Sequence, residues 1–292
     1  MKPVLTFALL GHPVGHSVSP AIHHAAYRHF GLLHRYVLRD CPTESAVEAA
    51  VGAVRSGELA GVNVTVPWKR LASSLADFVE DSAEQVGAAN VLSRDAQGRV
   101  SAANTDVGAL SEVLRARLPQ PDGACVVLGN GGAALAAVVA ARRNGFDPVV
   151  VSARRWVGPD SAWPKTAAFE RLGAKLVEWS EGEGALPQRF EQAHAVIQAT
   201  SAGMHGVGGD EPLIRLIPWT RLRRDVFLYD VVYNPVTTTF LRCAAEHEYA
   251  HEGGLSMLVG QAALALRRWL QIEPPTEVMK QAAEAALFGS PA

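Results

Sequence analysis

Cysteine is scarce in this chain, because only Cys41, Cys125 and Cys243 occur among its 292 residues. An odd number of cysteines at such wide spacing argues against a disulfide framework and against a zinc site. The same scarcity is typical of a protein of the reducing cytoplasm. An excess of charge of one sign is lacking as well, since the formal net charge is −2. Composition therefore gives no reason to expect a nucleic acid or an anionic membrane as a partner.

Long hydrophobic runs are also absent. The run at 133–141, AALAAVVAA, is far too short to span a bilayer. The run at 4–10, VLTFALL, leads into Gly-His-Pro without a small-residue cleavage pattern. It therefore predicts a first β-strand and not a signal peptide.

The residues that are present predict a globular α/β protein. The chain is 48% hydrophobic and 19% charged, and it is long enough for one large domain or two ordinary ones. Strand and helix patterns alternate, from the strand at 4–10 to the helices expected at 255–270 and 276–288. This alternation predicts parallel sheets with helices on their faces. The turn-rich stretch at 119–123 predicts a domain junction, and residues 153–190 carry no clear pattern.

The segment GHPVGHSVSP, residues 11–20, holds two prolines, two glycines, two histidines and two serines. Ser19 is expected as the N-cap of a helix that has Pro20 in its first position. That interpretation leaves Ser17 without a role. Two hydroxyls beside a helix N-terminus could instead bind a carboxylate, because free N–H groups and the helix dipole favour an anion there.

The segment GNGGAA, Gly129 to Ala134, lies between an apolar strand and an alanine-rich helix. In this context G-x-G-x-x-A predicts a dinucleotide-binding loop, whose first glycine turns sharply and whose second lets the backbone approach a pyrophosphate. The alternative is a tight turn without a ligand.

The end of the next predicted strand indicates which dinucleotide binds. An NAD site expects an acid there to hold the ribose 2′-hydroxyl, but the chain reads Ser152-Ala153-Arg154-Arg155. An arginine can bind a 2′-phosphate through two hydrogen bonds, so NADP is the predicted cofactor. The alternative is that Arg154 and Arg155 are solvated loop charges.

Polar side chains gather at predicted strand ends in the first third of the chain. They are Asn63, Thr65, Lys69, Asn90, Asn104 and Asp106. Open α/β sheets bind ligands at such ends, and a dehydrogenase needs an acid–base group beside its nicotinamide cofactor. Taken singly, the asparagines could form turns, Asp106 could cap a helix, and Lys69 could be a surface lysine. The histidines show no metal-ligand spacing, so no metal is predicted.

Eight segments, in order along nearly the whole chain, resemble the shikimate dehydrogenase family. They are GHPVGHSVSP, NVTVPWK, GAAN, NTD, GNGGA, ATSAGM, DVVYNPVTTTFL and GGLSMLVGQAA. Several are weak singly, but eight in order are very specific. The resemblance implies NADP-dependent, reversible reduction of 3-dehydroshikimate to shikimate, an oxidoreductase step of aromatic amino-acid (chorismate) biosynthesis. It also implies a cytoplasmic monomer or homodimer with no nucleic-acid or membrane partner.

The resemblance further implies a two-domain α/β fold: an α/β substrate domain, a Rossmann-type doubly wound NADP domain, and an active site in the cleft between them. Residues 1–106 and 250–292 would form the substrate-binding and catalytic domain, and residues 107–249 the NADP domain. Lys69 and Asp106 match the catalytic pair. Substrate contacts would come from Ser17, Ser19, Asn63, Thr65, Asn90, Asp106, Tyr233 and Gln261. Cofactor contacts would come from Gly129, Asn130, Gly131, Gly132, Ala133, Ser152, Arg154, Arg155, Thr200, Ser201, Val231, Gly254 and Met257.

In the implied mechanism, protonated Lys69 gives its proton while hydride reaches the C3 carbonyl, and Asp106 holds a substrate hydroxyl and steadies the ammonium. Alkaline pH should then favour the reverse oxidation. Some positions depart from the family pattern, including Ala153-Arg154-Arg155 in place of Asn-Arg-Thr and Gln198 in place of Asn. The alternatives are a quinate/shikimate or aminoshikimate dehydrogenase, a non-catalytic shikimate-binding regulator, and a Rossmann protein for another substrate.

Overall fold

The structure is a computed structural model that describes residues 3–154, 165–179, 185–207 and 209–289. The chain forms two compact units. Unit 1 comprises Met1–Ala109 and Val259–Ala292, and unit 2 comprises Leu110–Leu258. The sequence placed residues 250–258 with the substrate domain, whereas here they belong to unit 2. The reason is that a short strand, Ala250–Gly253, pairs in parallel with the strand Phe227–Asp230 of unit 2.

Unit 1 is built on a mixed sheet. Its strands are β1 (Thr6–Gly11), β2 (Arg35–Asp40), β3 (Gly61–Val64), β4 (Phe78–Val79), β5 (Val91–Arg94) and β6 (Val100–Ala103). Its helices are α1 (Ser19–His29), α2 (Glu44–Ser56), α3 (Lys69–Ser74), α4 (Asp81–Val86), the first part of α5 (Thr105–Arg117), most of α11 (Leu255–Leu270), and α12 (Thr276–Phe288). The strand order is β2-β1-β3-β5-β6-β4. Alternating strands and helices predict parallel pairing, but the segments NVLS and RVSAA, joined by the turn RDAQG, predict a hairpin. β5 and β6 form that hairpin, and β5 runs antiparallel to both β3 and β6.

Unit 2 is built on a wholly parallel sheet. Its strands are β7 (Ala124–Leu128), β8 (Val149–Ala153), β9 (Lys175–Glu178), β10 (Ala193–Gln198), β11 (Phe227–Asp230) and β12 (Ala250–Gly253). Its helices are α6 (Gly132–Arg143), α7 (Lys165–Arg171), α8 (Ala185–Glu191), α9 (Glu211–Leu216) and α10 (Thr239–Glu246), with the remaining parts of α5 and α11. The strand order is β12-β11-β10-β7-β8-β9. Counted within the unit, this is the 3-2-1-4-5-6 order of a doubly wound dinucleotide-binding sheet.

Burial explains why the central strands of unit 2 carry few polar residues. Every residue of β7 and β10 is buried, as both faces of this parallel sheet are covered. On α6 the eight residues from Ala134 to Ala141 are all buried, which is possible because most are alanines that let the helix lie close to the sheet. Among the described residues, no helix has both the length and the apolar character needed to cross a membrane.

In unit 1, helix α11 is packed against the sheet through Trp269. Its indole Nε1 donates to the carbonyl of Leu92 at 3.0 Å, and its ring stacks on Phe7 with centroids 4.7 Å apart. The indole also occupies the space beside Gly61, where a Cβ atom would lie 2.3 Å from Nε1. Glycine at position 61 is therefore required by the close approach of this tryptophan.

We expect Gly61→Ala to lower the free energy of unfolding by about 1–3 kcal/mol, because the new methyl group overpacks the Trp269 contact. Gly52→Ala is the matched control, since Gly52 lies in the interior of α2 and no atom of the described chain lies within 4 Å of the added Cβ. That change should raise the free energy of unfolding by about 0.5–1 kcal/mol. Urea unfolding of both variants checks the pair. Equal effects at the two positions would contradict the argument.

Candidate functional site

A polar cluster in unit 1 brings together Lys69, Asn90 and Asp106. Lys69 is the first residue of α3, Asn90 directly precedes β5, and Asp106 lies in the first turn of α5. The Lys69 Nζ lies 2.6 Å from Asp106 Oδ2, and the two side chains are only 26% and 13% exposed. The other carboxylate oxygen of Asp106 accepts a hydrogen bond from Asn90 Nδ2 at 2.9 Å. The cluster therefore pairs an ammonium with a carboxylate that is held on both oxygens.

The start of α5 corrects the alternative that Asp106 is a helix cap. The helix begins at Thr105, so Asp106 already lies inside it. The first N–H groups are capped by other side chains, since Asn104 Oδ1 accepts from Asp106 N at 3.1 Å and Asn90 Oδ1 accepts from Thr105 N at 2.7 Å. Because asparagines cap the helix, the Asp106 carboxylate is left to face Lys69.

Asn63 lies beside this cluster on β3 and is buried. Its Nδ2 donates to the carbonyl of Asn90 at 3.2 Å, and its Oδ1 accepts from the hydroxyl of Tyr36 at 2.8 Å. Tyr36 was not predicted as a site residue, although it is the one tyrosine in the segment HRYVLRD (34–40), whose pattern predicts a strand. Thr65 is half-buried just beyond β3, and its methyl group fills the space where a Cβ on Gly11 would lie, at 2.4 Å.

The serine pair of the GHPVGHSVSP segment is close together but does not cap the helix as expected. Ser19 is the first residue of α1 and Val18 is the N-cap residue, and no described side chain makes a cap bond there. The Ser17 hydroxyl instead donates to the Ser19 hydroxyl at 3.1 Å and accepts from Ser19 N at 3.3 Å. The physical reason is that α1 begins one residue earlier than expected, so Ser19 is its first helical residue. Ser17 Oγ accepts the hydrogen bond from the backbone N–H group of that residue. Gln261, on α11, is half-buried in the same unit.

The glycine loop of unit 2 connects β7 to α6. Gly129 has φ +122, and a Cβ there would lie 2.7 Å from the carbonyl oxygen of Ala199, so this turn requires glycine. Gly131 is the N-cap residue of α6 without a side-chain cap. Added Cβ atoms on Gly131 and Gly132 would meet no atom of the described residues within 4 Å. Asn130 and Ala133 are half-buried in the same loop. The backbone at the start of α6 is therefore open to an approaching ligand.

The end of β8 lies next to this loop, because Gly129 N donates to the carbonyl of Ser152 at 2.8 Å. The Ser152 side chain is fully buried, and its Oγ has no hydrogen-bond partner among the described residues. Arg154 is exposed directly beyond the strand. Arg155, the other predicted phosphate-binding arginine, lies outside the described residues.

The remaining predicted cofactor residues lie at the ends of β10 and β11 and at the start of α11. Thr200 follows β10, where its hydroxyl accepts from Ala202 N at 3.0 Å, and Ser201 is exposed. Val231 N donates to the carbonyl of Gln198, which ties the two strand ends together. A Cβ on Gly254 would lie 2.1 Å from the Val231 carbonyl oxygen, so glycine is required there. Tyr233 is half-buried, which raises the pKa of its phenol, and Met257 is buried.

Asp230, which ends β11, is a buried acid that the sequence reasoning missed. Its Oδ1 accepts from Val232 N at 2.9 Å, and its Oδ2 accepts from Thr238 Oγ1 at 2.6 Å. Burial raises the pKa of the Asp230 carboxyl to about 7, although these two hydrogen bonds act in the opposite direction. The signal in the sequence was a single acid, Asp230, within the otherwise apolar run VFLYDVV at 226–232.

The predicted site residues thus fall into two sets, each described within its own unit. Unit 1 holds the Lys69 cluster, the serine pair, Asn63, Thr65 and Gln261. Unit 2 holds the glycine loop, the ends of β8, β10 and β11, Tyr233, Gly254 and Met257. Among the described residues, no group of three or more His, Cys, Asp or Glu side chains is arranged to hold a metal ion.

Comparison with known protein families gives two matches. Residues 9–92 match the shikimate dehydrogenase substrate binding domain, and residues 254–284 match the shikimate 5′-dehydrogenase C-terminal domain.

Individual relatives match over nearly the whole chain. The shikimate dehydrogenase (NADP(+)) of Methanopyrus kandleri is 34% identical over 94% of this chain and 93% of its own length. The Thermus thermophilus protein of the same name is 34% identical over 97% of this chain and 99% of its own length. A crystal structure of the Thermus thermophilus enzyme in complex with NADP(H) and shikimate aligns with a TM-score of 0.81. It is 33% identical and covers 97% of this chain and 100% of the other.

The raised pKa of Asp230 predicts a pH-dependent stability. Because the folded-state pKa, about 7, lies above the ordinary carboxyl value of 3.8, the folded protein binds a proton more tightly than the unfolded chain. This tighter proton binding adds up to about 4 kcal/mol to the free energy of unfolding. The added stability is complete below pH 3.8 and is lost as the pH rises through the folded-state pKa of about 7. We expect Asp230→Asn, which cannot ionise, to lack this loss. Urea unfolding of both proteins between pH 4.5 and 8 measures it, and parallel curves would contradict the assignment.

Proposed function

This chain belongs to the shikimate dehydrogenase family, and we propose that it catalyses the reversible NADP-dependent reduction of 3-dehydroshikimate to shikimate. The observation that carries the proposal is the short contact between Lys69 Nζ and Asp106 Oδ2, in a cluster that also holds Asn90. It supplies a proton donor fixed by a carboxylate, which is what reduction of a carbonyl requires from the protein. We assign the activity to the cytoplasm and to a monomer or homodimer.

The serine pair and the neighbouring amides hold the substrate. The hydroxyls of Ser17 and Ser19 bind its carboxylate at the start of α1, where the helix dipole favours an anion. The two hydroxyl oxygens lie 3.1 Å apart, so one carboxylate can contact both of them. Asn63, Thr65, Asn90 and Gln261 hold the ring hydroxyls, and Tyr36 fixes which way the Asn63 amide faces.

Lys69 is the acid of the reducing direction. Its ammonium gives a proton to the carbonyl oxygen as hydride reaches the carbon, so that the carbonyl group becomes a neutral hydroxyl group and the lysine becomes a neutral amine. Asp106 stabilises the ammonium beforehand and accepts a hydrogen bond from the substrate. In the oxidising direction Lys69 takes the proton from the hydroxyl group. Because oxidation of the alcohol releases a proton, alkaline pH favours this direction.

The residues of unit 2 fit NADP. Open space at Gly131 and Gly132 and the uncapped start of α6 leave N–H groups for the pyrophosphate. The Ser152 Oγ, which has no hydrogen-bond partner within the described part of the chain, lies at the end of β8, and Arg154 follows in place of an acid. Arg154 binds the 2′-phosphate together with Arg155. Asn130, Ala133, Thr200, Ser201 and Val231 complete the cofactor site, and Tyr233, Gly254 and Met257 lie at its nicotinamide end. When bound there, NADP supplies or accepts the hydride.

The test follows nicotinamide absorbance in four mixtures, which contain shikimate or quinate, each with NADP+ or NAD+. We expect turnover with shikimate and NADP+, and we expect Lys69→Met to lower kcat by about 10²–10⁴-fold because the acid–base group is gone. Lys280→Met is the matched control, because Lys280 is an exposed lysine on α12, and it should have no effect on kcat.

A preference for quinate over shikimate would instead assign a quinate/shikimate enzyme. No turnover by folded protein in any mixture would refute the proposal and favour an aminoshikimate-type substrate or a binding role.

The choice of cofactor has its own test. We expect Arg154→Ala to raise the KM for NADP+ at least about 10-fold and to leave the KM for NAD+ nearly unchanged, because only NADP+ has the 2′-phosphate that a charge-assisted pair can bind. Arg224→Ala is the matched control, since this exposed arginine precedes β11 and so lies at the opposite edge of the parallel sheet. An equal rise for both cofactors would show that Arg154 does not distinguish them.

A further inference from the structure

A short loop of unit 2 is held at both of its ends by one buried carboxylate. We call residues 231–237 the Tyr233 loop; it runs from the end of β11 to Thr238, the N-cap residue of α10. Asp230 accepts from Val232 N at the start of the loop and from Thr238 Oγ1 at its end. We call these two hydrogen bonds the Asp230 clamp. The clamp closes this seven-residue loop on itself.

Other contacts hold the loop against its neighbours but leave Tyr233 between them. Gly254 N donates to the Val232 carbonyl at 3.0 Å, and His205 N donates to the Asn234 carbonyl at 3.0 Å. Both are single backbone bonds on either side of Tyr233. The clamp joins the start of the loop to its end, and so it limits how far the loop can spread.

We propose that Asp230 is a positioning residue for the reaction, because its clamp fixes the Tyr233 loop and thereby places the Tyr233 side chain. The proposal rests on the proposed function, which puts Tyr233 at the nicotinamide end of the cofactor site. Asp230 is fully buried at the end of its strand. It therefore acts through the loop and not by contact with substrate.

The chemistry of the clamp does not depend on the charge of the carboxyl group. As a carboxylate it accepts from both Val232 N and Thr238 Oγ1. As a neutral acid it still accepts from Val232 N and donates to the Thr238 oxygen. Asparagine reproduces that neutral arrangement, with its oxygen towards Val232 N and its NH2 group towards Thr238. Asp230→Asn is therefore the conservative variant, and Asp230→Ala removes the clamp.

Thr238 allows a cleaner test than Asp230, because the chain contains a matched position. Thr238 Oγ1 accepts from Leu241 N at 3.3 Å as the cap of α10, and Thr43 Oγ1 accepts from Ala46 N at 3.3 Å as the cap of α2. Thr238→Val and Thr43→Val lose the same capping bond. Only Thr238→Val also loses half of the Asp230 clamp.

The experiment measures shikimate oxidation, NADP+ binding and amide hydrogen exchange on the full chain. We expect Thr238→Val and Asp230→Ala to lower kcat by about 10–100-fold, the effect of displacing a contact group by about 1 Å. The Kd for NADP+ should change by less than about threefold, since most binding groups lie on other segments. Exchange should rise at the Val232 amide. Thr238→Ser and Asp230→Asn should retain at least a third of the activity, and Thr43→Val should match the parent protein.

Two results would overturn the proposal. One is faster exchange at Val232 in Thr238→Val with kcat unchanged, because the clamp would then be structural only. The other is an equal fall in kcat for Thr43→Val, because loss of a helix cap would then account for the effect. Failure of the proposed function is recognised separately, since the unsubstituted protein would then turn over neither shikimate nor quinate.

Discussion

The proposed reaction centre depends on the hydrogen bonds that Asn90 makes through its side chain and its backbone carbonyl. Its Oδ1 caps α5 through Thr105 N, and its Nδ2 orients the carboxylate of Asp106. Its own carbonyl accepts from Asn63 Nδ2. The preceding residue is tied to the lysine as well, because Ala89 N donates to the Lys69 carbonyl at 2.8 Å. Asn90 therefore ties the start of α5 to β3, and the residue before it ties the start of α3 to the same place. Loss of the Asn90 side chain would leave several buried polar groups without partners.

In unit 2 the strand order of the sheet brings residues together that are distant in the sequence. In a wholly parallel sheet all carboxyl ends meet at one edge, so Gly129, Ser152, Gln198 and Asp230 come together there although about 100 residues separate the first from the last. Backbone bonds join neighbouring ends, from Gly129 N to the Ser152 carbonyl and from Val231 N to the Gln198 carbonyl. The sheet supplies the position, and the segments beyond each strand supply the chemistry.

The sequence predicted what depends on local pattern. The alternation of strands and helices, the hairpin of β5 and β6, and the helices α11 and α12 all follow from periodicity and turn residues. It did not predict short elements whose stability comes from neighbours, such as the two-residue β4 or the exposed β12, which form because an adjacent strand offers hydrogen bonds. The sequence also did not predict which side chain caps α5. Only the folded chain brings Asn90 close to Thr105, which leaves the Asp106 carboxylate to pair with Lys69.

The ends of β8 and β11 differ in whether they carry an acid. At the end of β8 an acid would repel a phosphate, and the chain places a small buried serine there and then Arg154. At the end of β11 an acid is present but is withdrawn from solvent, with both oxygens bonded to its own loop. Burial that raises the pKa of Asp230 costs stability above neutral pH. A buried leucine would avoid that cost but could not join the two ends of a loop, so the position of Tyr233 gives a physical reason for keeping an acid there.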